Sequence, residues 1–65
     1  MSPNERLRAF AERSGLSGSD LASMFGVSVS LVRGWFCKAE SARFRPMRKP
    51  YVLILDEKER GQAVL

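Results

Sequence analysis

The chain has no histidine, and Cys37 is its one cysteine among 65 residues. Histidine-based triads and Cys/His zinc sites are therefore excluded by count, and so is a disulfide framework. The carboxylates offer no substitute: Asp20, Asp56 and the glutamates fall at helix starts or in a charged run. The expectation is a protein that is not an enzyme, with no metal, no cofactor and no small-molecule substrate. No apolar run approaches the ~20 residues that a membrane helix needs. Residues 1–15 lack the apolar centre of a signal peptide. A cytoplasmic, non-membrane protein with Cys37 reduced is expected.

Acidic residues are also scarce where basic ones gather. The formal charge is +4. Arg33, Lys38, Arg43, Arg45, Arg48 and Lys49 stand against Glu40 alone between positions 33 and 49, while the rest of the chain is nearly balanced. One basic segment on a balanced body is the electrostatic footprint of a polyanion binder. Sixty-five residues form one domain at most and bury only about 60% of the unfolded surface. Stability is then expected near the low end of ~5–15 kcal/mol unless a second subunit adds burial.

What is present is organised around residues 18–37, GSDLASMFGVSVSLVRGWFC. Leu21, Ala22 and Phe25 recur at helical spacing. Gly26 stops that helix, because glycine enters positive φ without steric cost. Ser28 can cap a second helix, expected over residues 29–38, in which Leu31, Val32 and Trp35 share one face. Ser30, Arg33, Gly34 and Cys37 share the other, which carries no large apolar residue. Ala22 is small where two helices would cross, Gly26 makes the corner, and Leu21, Phe25, Val27, Val32 and Trp35 plug the angle. On those seven positions the stretch resembles the helix-turn-helix of phage Cro/CI-type repressors. The expected fold is all-α, a small helical bundle containing a helix-turn-helix, with residues 1–65 as one DNA-binding domain.

On that reading Arg33 is the principal base reader, because arginine pairs bidentately with guanine O6 and N7. Ser30 lies one turn earlier on the same face. Gly34 costs a helix about 1 kcal/mol relative to alanine and finds no reason in packing, so close approach to DNA is its expected role. Ser2, Pro3 and Glu5 predict a first helix over residues 3–14, ended by Gly15, with Leu7, Phe10 and Ala11 as its apolar stripe. Leu16 and Met24 join the core. Ser17 and Asp20 form a second capping box, with Asp20 facing back toward the cap. Ser17, Ser19 and Ser28, at helix starts, are candidates for phosphate contacts.

Residues 39–49 read as an irregular arm broken by Pro46 and Pro50. Phe44 is expected to tuck it against the body, leaving Arg43, Arg45, Arg48 and Lys49 to meet phosphates. Residues 50–60 suit either a buried strand or a helix. The helix is preferred, since Pro50 fits a first turn and Gly61 a stop. Apolar residues surround its first turns, so Tyr51, Val52, Ile54 and Leu55, with Leu65 in the tail, are expected to meet a second copy of the chain. The alternative is that Val52, Leu53 and Leu55 roof the monomer core.

The sequence of features also narrows the resemblance. A helix-turn-helix is followed by Phe44-Arg45-Pro46 and then by Pro50-Tyr51 opening an apolar helix. This order is similar to the small anti-CRISPR-associated repressors of phages and mobile elements. That resemblance implies a homodimer on an inverted repeat, repressing its own anti-CRISPR operon. Alternatives are a Cro-like phage switch, a restriction-modification controller, or, from a different class, a helical protein-interaction module such as an antitoxin.

Overall fold

The computed structural model describes residues 2–63 and consists of four helices: α1 (Pro3–Ser14), α2 (Gly18–Phe25), α3 (Val29–Phe36) and α4 (Lys49–Ala63). No described residue lies in a strand, so the apolar run after Pro50 is helical. No helix of the described residues is long and apolar enough to cross a membrane.

The helix ends follow from local chemistry. Ser2 and Ser17 each accept a bond from the backbone N–H three residues on, and Glu5 and Asp20 reach back to the cap N–H groups. Bonds from the Ser2 backbone and hydroxyl hold the Glu5 carboxyl below its ordinary pKa, and Ser17 does the same for Asp20. At the other ends Gly15 and Gly26 turn left-handed, with φ of 65° and 69°. Behind Gly26 the N–H of Val27 bonds to the Ala22 carbonyl at 2.9 Å, which closes α2 as a Schellman motif.

Gly61 does not act as the expected stop. It lies inside α4 without a positive φ, and α4 continues to Ala63. A glycine ends a helix only where the chain beyond it is drawn away, and otherwise merely weakens it. Helix α3 is two residues shorter than the pattern suggests. At Cys37 the backbone turns extended, with φ −66° and ψ 156°.

The core is formed by Leu7, Phe10 and Ala11 of α1, Leu21, Ala22 and Phe25 of α2, and Val32 and Trp35 of α3, joined by Met47 and Leu55. Trp35 sits at its centre. Phe25 meets it edge-on at 5.5 Å between centroids and Tyr51 lies tilted at 5.2 Å, each pair contributing about 0.5–1.5 kcal/mol beyond burial. Val27, Leu16, Met24 and Leu31 are half-buried around this cluster.

Helix α4 changes the expected division of labour. Leu55 is completely buried in the monomer core and is not available to a second subunit. Tyr51, Val52 and Ile54 are half-buried against the same core, so they offer edges rather than free side chains. Leu53, 57% exposed, is the residue that α4 leaves to solvent. The correction is one of helical phase: apolar residues all round a helix divide by angle, and Leu55 falls on the inward side. Leu65 lies outside the described residues. Arg6 bonds to both Asp56 and Glu59 and so ties α1 to α4; partly exposed pairs of this kind are worth roughly 0.2–1 kcal/mol each.

Candidate nucleic-acid interface

Helices α2 and α3 pack against each other across the turn 26–28, and α1 backs α3. With Val32 and Trp35 turned into the core, the opposite face of α3 is outward. Ser28, Val29, Ser30 and Arg33 are all exposed on it. Ser28 caps α3 by accepting from the Leu31 N–H at 3.1 Å. The first turn of α3 contains no acidic residue, unlike that of α2. The positive end of the α3 dipole is therefore uncompensated by side chains, which favours an anion there. At the start of α2, Ser17 and Ser19 are exposed beside the Asp20 carboxylate, which bonds the Ser17 N–H at 3.0 Å as expected from the sequence. That negative charge makes α2 the poorer phosphate site of the two.

The arm lies against α3, and the contact explains Gly34. This residue is buried, and the Arg45 N–H bonds to its carbonyl at 2.9 Å. A Cβ at position 34 would stand 2.8 Å from Arg45 Cγ and 3.2 Å from the Arg43 carbonyl oxygen. Gly34 thus admits the chain's own arm, and the base-contacting role expected for it is withdrawn: its surface is already occupied by Arg43 and Arg45. Gly34→Ala is expected to be destabilising despite a gain of about 1 kcal/mol in helix propensity, because overpacking of about 1–3 kcal/mol opposes it. Faster hydrogen exchange at the Arg45 amide would report the displaced arm. A more stable variant with that amide still protected would show that the space exists and refute the account.

A second clamp was not legible as such in the sequence. Asn4, in the first turn of α1, is the one buried polar side chain among the described residues. Its Nδ2 donates to the Trp35 carbonyl at 2.9 Å and to the Arg45 carbonyl at 3.0 Å, while Oδ1 accepts from the Met47 N–H at 3.1 Å. One amide thus joins α1, the end of α3 and the arm. The available signal was its place on the apolar stripe, three residues before Leu7, although Ser2 already serves as the cap. Met47 is buried at the far end of the arm. Phe44, expected as the anchor, is only half-buried in a surface hollow beside Pro3 and Met47.

Held in this way, the arm forms a groove with α3 whose walls include Ser30 and Arg33 on one side and Arg43 and Arg45 on the other. Arg48 and Lys49 are exposed farther along, leading into α4. Arg45 Nη1 is turned back to the Phe44 carbonyl at 3.0 Å, so part of this guanidinium braces the arm. Among the described residues the ion pairs are those of Arg6 alone. Arg33, Arg43 and Arg45 therefore present charge without a carboxylate partner at the groove beside α3, and Arg48 and Lys49 likewise on the way to α4. Cys37 Sγ is directed to the Arg33 carbonyl at 3.2 Å. No group of histidine, cysteine, aspartate or glutamate side chains suited to a metal occurs among the described residues.

No family model, curated protein or solved structure matches the chain.

Proposed function

We propose that the protein is a sequence-specific, double-stranded DNA-binding repressor that works as a homodimer on an inverted repeat. The observation that carries this reading is the outward face of α3, where Ser30 and Arg33 stand exposed beside a clamped arm of unpaired cations. Arg33 reads a guanine, Ser30 a neighbouring base, and Ser28, Arg43, Arg45, Arg48 and Lys49 hold phosphates on either side. Ser17 and Ser19 are the weaker phosphate candidates. Two copies related by a two-fold axis would place their α3 helices ~34 Å apart, in successive major grooves. Leu53, with the uncovered edges of Tyr51, Val52 and Ile54, is the self-complementary patch such a dimer requires. The resemblance of the sequence to anti-CRISPR-associated repressors supports a more specific role, autorepression of an anti-CRISPR operon in the cytoplasm of the host.

The test begins with DNA selected from a random pool by the wild-type chain, followed by footprinting. The selected DNA should be palindromic and bind more tightly than an isolated half-site. Arg33→Ala should reduce specific affinity by ~1–3 kcal/mol and relax preference at one base position per half-site. Leu53→Glu should leave a folded monomer that no longer distinguishes the palindrome from the half-site. Selection of no preferred sequence, or an Arg33→Ala variant with unchanged base preference, would overturn the assignment.

A further inference from the structure

Among the described residues two large apolar side chains are exposed, Val29 and Leu53. Leu53 belongs to the patch on α4. Val29 opens α3 directly after the Ser28 cap, one turn before Arg33 and next to Ser30. Val29 is 36% exposed and is not one of the buried core residues. Helix formation does not call for it either, since a β-branched residue is a poorer helix former than alanine. An apolar side chain therefore stands partly open among the exposed Ser28, Ser30 and Arg33.

From this position we infer that Val29 is a specificity residue that reads the 5-methyl group of a thymine in the major groove. The inference rests on the proposed DNA-binding reading and adds the base class. The groove edges of adenine, guanine and cytosine offer only donors and acceptors; thymine adds a methyl group. Val29 can gain nothing from the polar edges and would desolvate them without returning a hydrogen bond. Against a methyl it gains buried apolar area. Val29 and Arg33 are separated by about 6 Å along α3, and bases on one strand by about 3.4 Å. The thymine is thus placed within about two base pairs of the guanine read by Arg33.

The selected DNA provides the experiment, with each thymine replaced in turn by deoxyuridine, which differs only in lacking the methyl. Wild-type protein should lose about three- to fivefold in affinity per half-site at one thymine. Val29→Ala should bind the parent DNA with a similar loss and show no further loss on the deoxyuridine site. Placing 5-methylcytosine rather than cytosine at that position should help the wild type and not the variant. Val29→Ala is expected to keep the fold, because Val29 is not among the buried core residues, and an unchanged melting temperature and sedimentation coefficient would verify this. A flat deoxyuridine scan, a methyl effect that persists in Val29→Ala, or loss of the dimer in that variant would each overturn the inference. A flat scan in which Arg33→Ala still relaxes one base position would overturn the thymine contact alone. Absence of any preferred sequence would overturn both it and the DNA-binding reading.

Discussion

Replacing Asn4 with alanine is expected to be the most damaging single polar substitution in the described structure. The change leaves the Trp35 and Arg45 carbonyls and the Met47 N–H without the partner that now bonds all three. Each orphaned buried group costs about 1–3 kcal/mol, less where water can enter. A total of about 2–4 kcal/mol is a large share of what a domain of this size possesses. For 60–100 residues it corresponds to a fall of roughly 10–30 °C in melting temperature, measurable by circular dichroism. The Met47 amide should also lose its protection from exchange. Asn4→Asp separates charge from shape. The new carboxylate can still accept from Met47 but faces two carbonyl oxygens, which raise its folded-state pKa above the unfolded value. The sign follows: the protonated form fits better, so the destabilisation relative to wild type is smallest below the ordinary carboxylate pKa and grows as pH rises through the raised one. A loss of under about 3 °C for Asn4→Ala would mean that the amide is not what clamps the arm.

The largest expected effect on binding comes from the arm. Changing Arg43, Arg45, Arg48 and Lys49 together to glutamine retains most of the Arg45 stem that covers Gly34 while removing four charges. If all four meet phosphates, the slope of log K against log salt should fall by about 3.6 per protomer. Near 0.15 M salt that amounts to about a thousandfold weaker binding per protomer. Specific and random DNA should weaken alike, and the base preference that the proposed function assigns to α3 should survive in the remaining binding. An unchanged salt slope would show that the arm is merely solvated. Loss of base preference with the slope intact would move the arginines from phosphates to bases.

These two experiments concern residues of unequal visibility in the sequence. The arginines of the arm were legible because charge density is a one-dimensional property: six cations against Glu40 over residues 33–49 can be counted without a fold. Asn4 was not, because its value lies in three backbone groups that are 31 to 43 positions away along the chain. Gly34 shows the same limit from the other side. Its oddity was visible, since glycine weakens a helix, but the neighbour that requires it is Arg45, and the sequence does not state which face of α3 the arm crosses.

The sequence by itself determined the first three helices, the serine caps at their starts and the two corners at Gly15 and Gly26, because capping and helical periodicity act over a few residues, while it left residues 50–60 open between strand and helix. It also determined the core of the helix-turn-helix, where Leu21, Phe25, Val32 and Trp35 must share the angle between two short helices. Only the tertiary structure decided which apolar residues of α4 are left over. Tyr51 to Leu55 are apolar in every direction, so composition cannot assign them, whereas the angle at which α4 meets α1 buries Leu55 and leaves Leu53 in solvent. It likewise decided that the arm is clamped to α3 by Asn4 and Gly34, and that Val29 stands partly open beside Ser30 and Arg33. Those facts depend on how separate helices pack, and packing couples residues that local rules treat as independent.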